Sequence, residues 1–218
     1  MGIPAIVPYA MPVEGELPPN VMSWRPDPAR AVLLVHDMQR YFLGFFPQGE
    51  SPVVDLVANT ARILDAARAY RMPVVYTAQP GAMTREERGL LLDVWGPGMD
   101  ADPRKREIVP EVAPRGEDVV LTKWRYSAFA RSDLRRRMRE WGRDQIVVCG
   151  VYAHVGVLAT ATDAFTDDIQ PFLVADAIAD FTLDYHRLAL SYAGERCAQT
   201  VTTDQLLDAL SQPLAAAG

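Results

Sequence analysis

Two hydrophobic rhythms alternate along this chain. Short continuous apolar runs are separated by longer stretches in which apolar residues return every three to four positions. The runs are "AVLLVHDMQ" (31–39), "PVVYTAQ" (73–79), "DVVLTK" (118–123), "QIVVCG" (145–150), "PFLVAD" (171–176) and a short "TVTT" (200–203). Unbroken runs of this kind read as strands buried on both faces. The longer stretches read as helices over 51–71, 132–142, 155–166, 183–198 and 204–210. Ser51 as N-cap with Pro52 in the first position starts the first helix; Ser132 caps the second, which stops near Gly142. From Pro80 to Gly116 the pattern predicts short helical pieces at best. Strands alternating with helices imply parallel pairing, right-handed crossovers and helices on both sheet faces. The expected fold is α/β: three layers, α/β/α, around a six-stranded, mainly parallel sheet.

The first 30 residues break the rhythm. They hold seven of the 17 prolines, each of which fixes φ and removes a donor, so they read as an extended arm lying on the domain or on a neighbouring subunit. Residues 31–218 then form one domain, a size that suits a chain 49% hydrophobic. A net charge of −6 gives nucleic-acid binding no global support. No apolar run approaches the ~18 residues of a membrane span, and the start lacks the basic segment of a secretory signal, so a cytoplasmic protein is expected. Cys149 and Cys197 lie in apolar surroundings and read as buried reduced thiols. Neither a dinucleotide-binding GxGxxG nor a phosphate-binding GxxxxGK[ST] occurs. His36, His154 and His186 lack metal-ligand spacing, so no metal and no cofactor are expected, and His154 reads as structural. The arginines from Arg131 to Arg143 read as a solvated helix face.

Parallel sheets bind ligands outside the carboxyl ends of their strands. The first strand ends in His36-Asp37-Met38-Gln39, the second in Ala78-Gln79-Pro80 and the third in Lys123-Trp124-Arg125-Tyr126. The fourth ends in Gly150-Val151-Tyr152 and the fifth in Asp176. A carboxylate, an amide, an amine and a phenol thus converge on one edge, with Gly156 in the turn that follows the fourth strand.

The segments "LLVHDMQRYF", "TKWRYSAF" and "GVYAHVGVLATATDAF" resemble the three motif regions of the isochorismatase-like hydrolase superfamily. In its amidase branch an Asp, a Lys and a Cys in the last turn form the catalytic set, and that turn reads roughly G-x-x-T-x-x-C-V-x-x-T-A. On this chain the cysteine position is Gly156, which removes the nucleophile; Cys149 lies inside the preceding strand and cannot replace it. The isochorismatase branch also lacks the thiol, because a vinyl ether is cleaved without a covalent intermediate. Over roughly residues 20–211 the chain is similar to the phenazine-pathway members of that branch, "QPFLVADAIADF" included. The siderophore-pathway domain resembles it nearly as well but is usually followed by a carrier domain, for which the sequence ending at Gly218 has no length.

The resemblance implies hydrolysis of the enolpyruvyl group of 2-amino-2-deoxyisochorismate to pyruvate and trans-2,3-dihydro-3-hydroxyanthranilate. The alternatives are isochorismate as substrate, or a non-catalytic scaffold. It implies Asp37, Lys123 and Gly156 as the catalytic set, with Asp37 as general acid. Gln79, Arg88, Tyr126 and Tyr152 would bind substrate, and Phe42, Phe46 and Trp95 would wall the pocket. Gly156 is expected to leave room where the thiol would stand and, opening a helix, to offer N–H donors to an anion. A cis peptide is implied near Val151–Tyr152, and a homodimer as the assembly.

Overall fold

The computed structural model describes residues 2–212, so the last six positions of the expected 31–218 domain lie outside the described residues. Six strands form one sheet: β1 (Ala31–His36), β2 (Val74–Ala78), β3 (Val119–Thr122), β4 (Gln145–Val151), β5 (Gln170–Ala179) and β6 (Gln199–Val201). All neighbours pair in parallel, in the order β3-β2-β1-β4-β5-β6. The order reverses between β1 and β4, and that switch point is where open parallel sheets hold their ligands. Both strands there are buried along their whole length, which explains their unbroken apolar runs. Edge strand β3 is partly exposed.

The helices are α1 (Arg40–Leu43), α2 (Val53–Ala69), α3 (Arg85–Arg88), α4 (Leu91–Trp95), α5 (Pro103–Arg106), α6 (Leu134–Glu140), α7 (Leu158–Thr166), α8 (Leu183–Arg196) and α9 (Thr203–Ser211). Side chains alternate across a strand, so β1 feeds two cores. Leu33 and Val35 pack with Leu56, Ile63 and Leu64 of α2 and Leu206 of α9. Val32 and Leu34 pack with Leu134 of α6, Ala161 of α7 and Leu190 of α8. This is the expected three-layer architecture, and the Pro80–Gly116 stretch carries only short helical pieces, α3 to α5, and the 3₁₀ turn Pro110–Val112.

Several boundaries differ from the sequence reading. α2 starts at Val53 with Pro52 as its N-cap, and the Ser51 hydroxyl makes no hydrogen bond among the described residues. Instead the Ser51 carbonyl accepts from Tyr9 N–H of the arm (3.3 Å), so a tertiary contact replaces the local cap. α6 is bounded by Asp133, although the Ser132 hydroxyl still accepts from Leu134 N–H (3.3 Å). β5 does not end at Asp176 but runs to Ala179. The Asp176 carboxylate is met inside the fold by the Thr203 N–H and hydroxyl, both at 2.7 Å, so its charge marks a cross-connection to α9 rather than a strand end. The arginine-rich helix is not merely solvated: Arg135 pairs with Asp167, and Arg136 with Asp133 and Glu140. Among the described residues no helix is long and apolar enough to cross a membrane.

Candidate active site

At the carboxyl end of β1 the chain turns sharply. Asp37 adopts a left-handed φ of 52°, which brings its buried carboxylate under the ends of β2 and β3. Its Oδ1 accepts from the Thr77 hydroxyl (2.7 Å) and its Oδ2 from Lys123 Nζ (3.1 Å). Both charged groups are sealed, at 4% exposure for Asp37 and 2% for Lys123. Burial by itself would raise the Asp37 pKa; Lys123 and the Thr77 hydrogen bond outweigh it and hold the carboxyl below its ordinary value. Burial pulls Lys123 down, with Asp37 opposing. The pocket therefore holds the Asp37 carboxyl against the Lys123 amine.

Nine of the ten residues singled out from the sequence line one cavity. Asp37 and Lys123 sit with Gln79, Arg88 and Tyr126 as the polar side; Phe42 and Trp95 face them. Arg88, the last residue of α3, is buried; its Nε donates to the Gly96 carbonyl (2.9 Å) and its Nη1 to Gln79 Oε1 (3.3 Å). Trp95 Nε1 donates to the Tyr126 hydroxyl (2.7 Å). The Tyr152 ring lines the cavity, but its hydroxyl points away and donates to the Phe42 carbonyl (2.8 Å). Phe46 is the exception: it does not reach the cavity. It stacks on the Tyr152 ring at 5.9 Å and supports it from the core side. The Val151–Tyr152 peptide is cis, where the resemblance implied it.

Gly156 lies at the cavity but does not open a helix. It sits inside a wide π turn, Ala153–Val157, and α7 begins at Leu158. Nor does it leave room. A Cβ built on Gly156 would stand 2.4 Å from His36 Cε1 and 2.9 Å from His36 Nε2. The place a Cβ would take here is filled by the edge of an imidazole.

His36 was legible only as part of a strand end. It is fully buried, and burial together with Lys123 pulls its pKa down to about 4. The ring is neutral at neutral pH, and since the Val151 carbonyl can only accept, Nδ1 carries the proton (2.8 Å). Its Nε2 makes no hydrogen bond among the described residues. Sequence reasoning also missed Phe181 and Ile3 as cavity walls and Asp180 beneath them. The buried Asp180 carboxylate accepts from His154 N–H (2.6 Å) and from His154 Nδ1 (2.7 Å), pinning the π turn; His154 is structural, as its position suggested. A strand that ran past Asp176 would have exposed "ADF" as the true strand end.

The geometry offers a buried acid paired with a lysine, a second cation and no nucleophilic side chain at the family thiol position. The isochorismatase domain model matches residues 31–205. The chain is 59% identical over 207 residues to phenazine biosynthesis protein PhzD1 of Pseudomonas aeruginosa, covering 95% of this chain and 99% of that one. It is 53% identical over 210 residues to an isochorismatase of Bacillus subtilis, covering 96% of this chain and 67% of that one. A solved cysteine hydrolase from Pseudomonas syringae pv. phaseolicola superposes with a TM-score of 0.78 at 23% identity, covering 88% and 96% of the two chains, which shows a shared fold. On the family match and on these identities, the chain belongs to the isochorismatase family of hydrolases.

Proposed function

We propose that the protein hydrolyses the enolpyruvyl ether of 2-amino-2-deoxyisochorismate, releasing pyruvate and trans-2,3-dihydro-3-hydroxyanthranilate. The observation that carries this is the Asp37–Lys123 pair facing a cavity whose family thiol position is Gly156, backed by imidazole. Such a site suits acid catalysis and not acyl transfer. The similarity to PhzD1 favours the amino compound over isochorismate.

The substrate brings two carboxylates. Lys123 and Arg88 receive them, and Lys123 shifts its contact from Asp37 to the ligand. Loss of the cation's contact and the arriving negative charge both raise the Asp37 pKa, so the carboxyl takes up a proton on binding. Oδ1 is already engaged by the Thr77 hydroxyl, so Oδ2 carries that proton. Asp37 delivers it to the terminal carbon of the vinyl group, giving an oxocarbenium ion. Water adds to that ion and returns a proton to Asp37; the hemiketal collapses to pyruvate and the ring alcohol. Phe42, Trp95 and Phe181 keep other water from the cation. No step calls for a metal or cofactor.

The experiment is pyruvate release, coupled to its reduction, from the amino compound and from isochorismate. The expected result is turnover of both with the larger kcat/KM for the amino compound. A larger value for isochorismate would shift the assignment to the siderophore-type reaction, and no pyruvate from either would leave a scaffold.

The same proposal includes a cytoplasmic homodimer. Tyr185, Leu188 and Tyr192 of α8 are half-exposed at helical spacing, an apolar stripe of the kind a second copy covers. Leu188→Glu is expected to halve the sedimenting mass; an unchanged mass would place the contact elsewhere.

A further inference from the structure

We propose that the amino-terminal arm is part of the active site: Ile3 is a specificity-determining wall of the substrate cavity, and Tyr9 is the positioning residue that holds it there. The inference rests on the reading of the cavity as the site for a dianionic substrate. Ile3 lines the same cavity as Asp37 and Lys123, and it lies 28 residues ahead of Ala31, where the family match begins. Its side chain packs, partly buried, against the sheet-face core.

Two clamps fix this placement. Ile6 is buried, and its N–H donates to the Phe45 carbonyl (3.0 Å). Three residues on, the Tyr9 N–H donates to the Ser51 carbonyl (3.3 Å), and the Tyr9 hydroxyl enters a buried network. His186 Nε2 lies 3.0 Å from the Ala175 carbonyl, which can only accept, so Nε2 carries the proton in the neutral ring and Nδ1 is an acceptor. The Tyr9 hydroxyl therefore donates to His186 Nδ1 (3.2 Å) and accepts from Asp180 N–H (2.8 Å). Asp180 in turn binds both N–H groups of His154 in the π turn that holds Gly156. One arm tyrosine thus ties the arm to the backbone on the far side of the cavity. Ahead of the clamps, Ile3 is held by its packing against the core.

The chemistry gives Ile3 its task. The polar groups of the cavity come from the sheet edge, α1 and α3, whereas Ile3 joins Phe42, Trp95 and Phe181 as an apolar wall. An apolar side chain there presents no charge to a ligand carrying two carboxylates and displaces water that would otherwise reach the reacting carbon. A carboxylate at the same point would repel that ligand directly.

The test compares Ile3→Glu with Val7→Glu. Val7 is 67% exposed on the same arm and outside the cavity, so both variants add one charge to one segment. With the substrate that the wild type turns over, Ile3→Glu is expected to raise KM about tenfold, with the effect shrinking as salt is added, as screened repulsion requires. Val7→Glu is expected to keep the wild-type KM. Equal KM values for the two variants would overturn the proposal. Should the wild type release no pyruvate at all, the functional reading fails separately, and the arm is judged by alkylation of Ile3→Cys. Both native thiols, Cys149 and Cys197, are buried, so the introduced thiol is the one that reacts. Adding Tyr9→Phe is expected to speed that reaction about tenfold, because the lost hydroxyl releases the clamp; an unchanged rate would remove Tyr9 as the positioning residue.

Discussion

Asp37→Asn is expected to lower kcat about 10³-fold, inside the ~10²–10⁴ that positioned general acids contribute, while substrate binding is kept. The amide fills the same volume and can still accept from the Thr77 hydroxyl, so the turn after β1 survives. What disappears is the oxygen that carries the proton. The amide also withdraws the negative partner of Lys123, which is 2% exposed, and leaves a buried cation without its counter-charge. Breaking such a pair costs about 3–5 kcal/mol of stability. A dianionic ligand repairs that loss, so substrate should raise the melting temperature of the variant more than that of the wild type. Single-turnover pyruvate release measures the chemistry and a thermal melt with and without substrate measures the repair. Turnover within tenfold of wild type would dismiss Asp37 as the acid.

Gly156→Ala is the second large effect, and it follows from distance alone. The added Cβ would lie 2.4 Å from His36 Cε1, 2.9 Å from His36 Nε2 and 3.1 Å from the Tyr126 carbonyl oxygen. His36 has nowhere to retreat: its ring is hydrogen-bonded to Val151 and its backbone is paired with Gly150. Gly150 itself, at φ 113°, has no space for a side chain, because a Cβ there would stand 2.1 Å from the His36 carbonyl oxygen. Overpacking of this kind costs about 1–3 kcal/mol, and because the displaced ring lies 3.7 Å from Asp37 Oδ2, activity should fall about 100-fold with it, as sub-ångström positioning governs rate. His36→Ala added to Gly156→Ala empties the contested space, so the double variant should be more stable than the two single losses predict. A double-mutant cycle by thermal or denaturant unfolding gives that coupling. A Gly156→Ala protein that melts and turns over like wild type would refute the packing argument. Gly156→Cys meets the same obstruction and is not expected to become an amidase.

These two cases show what a sequence can and cannot disclose. The sheet was legible because β1 and β4 are buried on both faces, so nearly every position in them must be apolar. Asp37 and Lys123 were legible because a parallel sheet brings its strand ends to one edge. His36 was not, since nothing in its neighbours says that its ring crosses to the turn after β4 and fills the hollow beside Gly156. Asp176 misled in the opposite way: a charge in an apolar run reads as an end, but α9 supplies donors that let β5 continue. The side on which Phe46 packs depends on the path of the loop after α1, which carries no periodicity. The arm's place depends on Tyr9 meeting Asp180 and His186, 171 and 177 residues away, a pairing that no local pattern encodes.

The Asp37–Lys123 contact has a bearing on how the molecule comes together. Its partners stand 86 residues apart in the chain. Neither a hairpin nor a lone helix can bring them within reach; the β1–β2–β3 ladder has to be zipped first, and such non-local pairing is the slow part of folding. Partly folded chains would hold helices and even single crossovers while remaining inert. Catalytic turnover therefore reports assembly of the β1–β2–β3 ladder, and a refolding assay read by pyruvate release times an event that helix content passes over in silence.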